Sequence, residues 1–326
     1  MPLFVWIFLV SILSHTLARA QQPTLQEEQQ IKAYGFAFTT IPPRFRSLGQ
    51  TISTLLHQEY LEPELLLLSI PREYSRFDCI EDELCLPTPA AGLLKLLGTE
   101  FPVEVAYDRI QTVSVDHDYG PLTKTMGLLQ NFDRYPEIMY WIICDDDVGY
   151  TSDTYLRYHH ALKATSYKYV LTHFSEDYRI AIKFHTEEER PKRVQHVQGV
   201  DTYLIPTEIL LSNALLKFTK LRGIVDFFHS VCPLSYYQDD YIISFLFHIA
   251  KVPIKSTWNN QKVAEHIDDV SLSNHQMHRD HEVFDREEQT KSCITLNAFT
   301  IYKNYIQSNV NLKIVEDVRE KQVQDL

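Results

Sequence analysis

The sequence predicts an α/β fold with a mostly parallel sheet flanked by helices, followed by a smaller mixed part towards the C-terminus. Three observations predict it. Apolar strand-like runs alternate with amphipathic helix-like stretches three times between Gly35 and Ala164. Acidic residues stand just beyond the ends of those runs, where open parallel sheets bind ligands. After Lys168 the pattern changes to shorter strands and aromatic segments.

Each element has a local reason. Gly35–Thr40 alternates apolar and small residues and reads as a strand, broken by Pro42 and Pro43. Phe45, Leu48, Ile52, Leu55 and Leu56 recur at helical spacing. Leu65–Ile70 is an apolar run stopped by Pro71, as a buried strand would be. The stretch from there to Pro102 reads as loop, punctuated by Pro87 and Pro89. Val113–Val115 is a short strand running into Asp116-His117-Asp118-Tyr119-Gly120-Pro121, with a helix over Leu122–Leu129 behind that turn. Ile138–Cys144 is an apolar strand ending in Asp145, Asp146 and Asp147, and Thr151–Ala164 is a helix with Thr151 or Ser152 near its N-cap. Tyr169–Thr172, Ile180–Phe184 and Thr202–Ile205 read as strands, and Leu210–Lys217 and Asp240–Ile249 as helices. The expected organisation is a targeting segment (1–20), a polar stalk (21–33), a ligand-binding half (34–165), a second half (166–290) and a C-terminal extension (291–326).

Composition narrows the function. With 44% hydrophobic and 23% charged residues the 326-residue chain matches an ordinary folded domain. Its net charge of −12 disfavours a polyanion, so nucleic acid is not an expected partner. Arg190-Pro191-Lys192-Arg193 follows three glutamates and reads as a compensated loop. The apolar run Phe4–Leu13 followed by Ala18-Arg19-Ala20 has the pattern of a signal peptide. An uncleaved signal anchor is the alternative and would give a membrane tether. Both place the folded part in the secretory lumen, in ER or Golgi, or outside the cell. Five cysteines leave at least one thiol unpaired within the chain. A bridge between Cys79 and Cys85 would close a short acidic loop, and Cys144, inside an apolar run, reads as a buried small hydrophobe.

The acidic run carries the chemistry. Along an extended backbone Asp145 and Asp147 point to one side and Asp146 to the other. Two same-side carboxylates suit Mg²⁺ or Mn²⁺, which takes hard oxygen ligands and shares them with phosphate oxygens. The competing interpretation is a solvated Asp-rich turn.

Three segments in this order resemble GT-A glycosyltransferases, in particular family 2-like proteins with a DxD motif: Phe38-Thr39-Thr40-Ile41-Pro42-Pro43-Arg44-Phe45, Asp118-Tyr119-Gly120-Pro121-Leu122-Thr123-Lys124 and Ile143-Cys144-Asp145-Asp146-Asp147-Val148-Gly149-Tyr150. The resemblance spans Ala37 to Phe247 and implies a Rossmann-like, nucleotide-sugar-binding sheet. By that resemblance a UDP- or GDP-sugar donor lies against Thr39, Thr40, Arg44 and Asp146, with Asp116 or Asp118 near base or ribose and Lys124 at a phosphate. Asp145 and Asp147 hold Mn²⁺ or Mg²⁺, joined by a C-terminal histidine: His275, with His266, His278 and His281 as alternatives. Gln198-Gly199-Val200-Asp201 resembles a glycine loop. Asp240, or else Asp239, occupies the position of the catalytic base in inverting members, although an aspartate at a helix start is also a common cap. The implied acceptor is a glycan, glycoprotein or glycolipid, and the Tyr- and His-rich second half leaves its identity open. Two other function classes compete: a non-catalytic secreted carbohydrate-binding protein and a metal-dependent nucleotidyltransferase. The second would be expected to carry a glycine-rich loop where Pro42-Pro43 stands.

Overall fold

A computed structural model describes residues 33–45, 48–74, 107–165, 168–173, 202–213, 216–232, 239–257, 264–266 and 293. The chain divides between Ala33 and Tyr34, and every element below belongs to the second unit. The expected targeting segment and stalk, the Cys79–Cys85 bridge, the strand at Ile180–Phe184, the glycine loop at Gln198–Asp201, and His275, His278 and His281 lie outside the described residues. Among the described residues no helix is long and apolar enough to cross a membrane.

In chain order the elements are β1 (Tyr34–Thr39), α1 (Leu48–Leu56), β2 (Leu65–Pro71), β3 (Ile110–Val115), α2 (Thr123–Asn131), β4 (Tyr140–Ile143), β5 (Val148–Tyr150), α3 (Thr154–Thr165), β6 (Val170–Thr172), β7 (Tyr203–Pro206), α4 (Thr207–Ser212), α5 (Phe218–Val231), α6 (Asp239–Ile249), β8 (Ile254–Ser256) and β9 (Ala264–His266). Seven strands form one sheet in the order β3-β2-β1-β4-β7-β6-β8, and β5 pairs with β9 in a separate ribbon. β1 to β4 run parallel, β7 is reversed between β4 and β6, and β8 follows β6 in parallel. The sheet is therefore mostly parallel, as expected, and its central strands are buried along their whole length.

Strand alternation assigns the two faces. Ser69 is in register with Thr39, so Gly35, Ala37 and Thr39 share its face, and Tyr34, Phe36 and Phe38 point the other way. A Cβ on Gly127 of α2 would stand 2.1 Å from Ser69 Oγ, whereas the Tyr34 ring stacks at 3.6 Å on Tyr155 of α3. Hence α2 and α3 cover opposite faces. Gly35 is small for a related reason: it pairs with Trp141, whose ring would lie 2.9 Å from an added Cβ.

Some boundaries differ from the sequence reading. β3 starts at Ile110, three residues earlier than expected, and β4 covers only Tyr140–Ile143. The single helix expected over Leu210–Lys217 is replaced by α4, which ends at Ser212, and by the longer α5. The spacing of Leu221, Ile224, Val225 and Phe228, all buried, is the signal for α5 that the turn-rich flanks obscure. Cys232, just after α5, is bonded to Cys293, and Cys144 is a free, buried thiol that burial pushes well above its ordinary pKa.

Candidate active site

β1 leads through α1 to β2 on one side, while β4 lies on its other side, so the order of strands reverses between β1 and β4. That is the switch point at which open α/β sheets leave a crevice beyond the strand ends. Four segments meet there: the turn after β1, the acidic run after β4, the first turn of α2 and the first turn of α6.

After β1 the chain turns through Pro42–Arg44, a single 3₁₀ turn with the Arg44 amide donating to the Ile41 carbonyl at 2.9 Å. This directs the Arg44 side chain onto the acidic run. Its guanidinium pairs with Asp146 Oδ1 through Nη1 and with Asp147 Oδ2 through Nη2 at 2.8 Å. Burial alone would lower the Arg44 pKa, but Asp146 and Asp147 outweigh it and raise the pKa above the usual value. After β4 the backbone bends at Asp146 and Asp147 instead of staying extended, which corrects the same-side geometry expected for Asp145 and Asp147. Asp145 turns instead to Lys124, whose Nζ donates to Asp145 Oδ1 at 2.6 Å and lies 2.9 Å from Asp239 Oδ2. The Asp145 amide donates to the Tyr150 hydroxyl at 2.8 Å, and Thr51 Oγ1 donates to the Asp146 carbonyl at 2.8 Å, so α1 and β5 both fix the bend.

Lys124 stands inside the protein with a side chain 2% exposed. Burial would lower its pKa, but Asp145, Asp239 and then Asp240 hold it well above the ordinary lysine value. This replaces the expectation of a lysine open to a phosphate: as placed, its ammonium is taken up by two carboxylates. Arg44 likewise reaches the site through Asp146 and Asp147.

The remaining sequence candidates take different places. Thr39 donates to the Ser69 carbonyl at 2.6 Å and so serves the sheet. The Thr40 hydroxyl is buried with no hydrogen-bond partner among the described residues. Asp116, at the end of β3, is half-exposed and pairs with Arg72 at 3.2 Å. Asp118 accepts from the Gly120 amide at 2.9 Å, shaping a turn in which Gly120 has φ 63°, a conformation glycine adopts without strain. Asp239 is buried at the start of α6, and Asp240 beside it is more open.

Whether these residues fit a divalent cation can be read from charge and unsatisfied oxygens. Among the described residues Asp145, Asp146, Asp147 and Asp239 gather around Arg44 and Lys124. Asp146 Oδ2 is buried and accepts no hydrogen bond among the described residues, and Asp145 is the most open of the four with a side chain 22% exposed. Among the described residues no three His, Cys, Asp or Glu side chains are grouped to hold a metal ion by themselves. A divalent cation here would have to be held by one or two carboxylates and completed by water and phosphate oxygens. Of the four candidate histidines, His266 lies in β9 with its backbone in register with Val148, the residue after Asp147.

Fold and site together define a protein built on a mostly parallel α/β sheet with a buried ionic cluster at the switch point. No protein-family model matches the sequence, and no curated protein matches it. Among solved structures, the chain is similar to the apo form of mouse xyloside xylosyltransferase 1, at 12% identity over 69% of this chain and 84% of that one, with a TM-score of 0.37. It is also similar to 4-diphosphocytidyl-2C-methyl-D-erythritol synthase from Anaerococcus prevotii, at 12% identity over 79% of this chain and 95% of that one, with a TM-score of 0.37.

Proposed function

We propose that this protein is a metal-dependent glycosyltransferase that moves a sugar from a nucleotide-sugar donor to a hydroxyl group of a glycan, glycoprotein or glycolipid, with inversion at the anomeric carbon. The observation that carries the proposal is the buried Asp146 Oδ2, which accepts no hydrogen bond among the described residues, in a cluster of four aspartates at the β1/β4 switch point. A divalent cation held by Asp145 and Asp147 of the acidic run, with a C-terminal histidine as a further ligand, would neutralise the departing diphosphate. His275 and His266 are the candidates for that histidine. In this reading the Thr40 hydroxyl meets the donor, and Asp116 or Asp118, in the turn after β3, meets its base or ribose.

Asp240 is the base in this reading. Asp239 is occupied by the Lys124 ammonium, whereas Asp240 is more exposed. The acceptor oxygen attacks the anomeric carbon, the bond from that carbon to the phosphate oxygen breaks with its electron pair leaving on the diphosphate, and Asp240 takes the acceptor proton. A lumenal location agrees with the Cys232–Cys293 disulfide, a bond that persists in oxidising compartments.

The test compares wild type with an Asp145→Asn/Asp147→Asn variant for Mn²⁺-dependent binding of UDP, GDP and a panel of nucleotide sugars. Metal-dependent binding lost in a variant that stays folded supports the proposal. A wild type that binds no nucleotide in the presence of metal overturns it and favours a secreted carbohydrate-binding protein.

A further inference from the structure

Lys124 brings together three elements that are far apart along the chain. It is the second residue of α2, Asp145 follows β4, and Asp239 opens α6, yet both carboxylates meet the same Nζ atom, at 2.6 Å and 2.9 Å. Three costs oppose a lysine at this position. Its ammonium is taken out of water, its four-carbon stem is held in one geometry, and its charge stands at the positive end of the helix dipole. Stability alone would be served as well by an apolar side chain, because buried ion pairs replaced by well-packed hydrophobic residues are often no less stable. The two carboxylates are what the lysine serves.

We infer that Lys124 is a positioning residue that sets Asp145 and Asp239 in one arrangement, so that the donor-side acidic run and the base-bearing start of α6 form a single site. The inference rests on the transferase reading above. It explains why the site uses one lysine and one arginine differently. The guanidinium fork of Arg44 spans two neighbouring residues, Asp146 and Asp147, whereas the compact ammonium of Lys124 bridges two carboxylates on separate elements. It also gives Asp239 a role beside Asp240: with Asp239 fastened to Lys124, the first turn of α6, which carries Asp240, is held. Tyr203 of β7 supports the arrangement from below, its hydroxyl 3.0 Å from Thr125 Oγ1 in the same turn of α2.

The experiment uses the full chain with Mn²⁺, UDP and GDP as binding probes and the nucleotide sugar that wild type turns over as substrate. It compares Lys124→Met, Asp239→Asn and the double variant. The expected result is a kcat per folded molecule about a hundredfold lower in K124M, the loss that misplacing a reacting group by about an ångström brings. Mn²⁺-dependent nucleotide binding weakens alongside, because Asp145 is released too. The double variant falls short of the product of the two single losses, as residues acting as a unit do. A structural role alone would lower the melting temperature and leave kcat per folded molecule unchanged. An active wild type with K124M within about threefold of it in kcat, or with fully multiplicative losses, overturns the inference and leaves the transferase reading standing. A wild type that neither binds nor turns over any nucleotide sugar overturns both. Should K124M fail to fold, Lys124→Arg keeps the charge and changes the donor geometry. Its kcat is then expected to fall about tenfold, and wild-type kcat and donor KM in K124R overturn the inference.

Discussion

The side chains at the β1/β4 crevice are costly individually and stable only as a set. Arg44, Asp146 and Asp147 are nearly inaccessible to solvent, so removing the guanidinium takes from two buried carboxylates the cation that both pair with. We expect Arg44→Met to lower the unfolding free energy by about 3–5 kcal/mol, the usual loss when a buried pair is broken from one side, as measured by urea denaturation. Arg44→Lys should recover part of it, since a point charge cannot span both carboxylates as the fork does. At Asp240 the expected effect lies on turnover: Asp240→Asn should lower kcat by about 10²- to 10⁴-fold while leaving Mn²⁺-dependent nucleotide affinity near wild type. An unchanged kcat would move the base elsewhere. Gly127 shows the same economy away from the site. A Cβ there would stand 2.1 Å from Ser69 Oγ and 2.5 Å from Ser69 Cβ, too close for either short side chain to give way. Gly127→Ala should therefore destabilise the fold by about 1–3 kcal/mol through overpacking, visible as a lower urea midpoint.

Among the elements, α2 is the one on which both fold and site depend. It packs on β1, β2 and β3 with every residue from Thr123 to Leu129 buried, and its first turn carries Lys124 into the crevice. The helix itself was legible, because Met126, Leu128 and Leu129 stand behind a proline-bearing turn. The direction of Lys124 was not, because a lysine on a helix is solvated far more often than buried, and only the carboxylates of two distant elements reverse that balance. α5 is the opposite case: its apolar spacing was readable, and the turns on either side hid it. That helix ends at the Cys232–Cys293 disulfide, which ties residues 61 apart in sequence. A Cys232→Ser/Cys293→Ser variant should lose about 2–4 kcal/mol of stability, read as a lower unfolding midpoint that reductant no longer shifts. Equal midpoints for wild type and variant in the absence of reductant would show that the bond contributes nothing.

At the scale of the whole molecule, pH couples to folding through imidazoles shielded from water, the buried His159 and the half-buried His173 among them. Burial, then Arg157, lowers the His173 pKa to about 3, where it packs against Tyr158 with Nδ1 2.6 Å from Thr257 Oγ1. Burial, then Lys163 and His160, lowers that of His159 to about 4, between Tyr60 and Tyr155. Asp153 pulls the His173 value upward and does not prevail. Both rings stay neutral in the folded chain at pH values where an unfolded histidine, with a pKa of about 6.5, is already charged. Their contribution is whole above about pH 6.5 and is lost as pH falls from there towards about 4 and 3, at no more than about 1.4 kcal/mol per pH unit for each ring. Urea midpoints measured from pH 7.5 to 4.5 should fall for wild type and fall less steeply for His159→Gln/His173→Asn. Parallel curves would remove these histidines from the account.

The sequence by itself determined the class of fold and the place of the acidic run. Runs such as Leu65–Ile70 can be buried only in a sheet covered on both faces, and consecutive aspartates at the end of such a run must lie at its rim. Tertiary structure alone decided which charges meet. The pairing of Arg44 with Asp146 and Asp147, and of Lys124 with Asp145 and Asp239, depends on the bend after β4, on the closeness of β1 to β4, and on where α6 begins. Charge interactions act through space and carry no period along the chain, whereas burial of apolar side chains repeats with the geometry of each helix and strand.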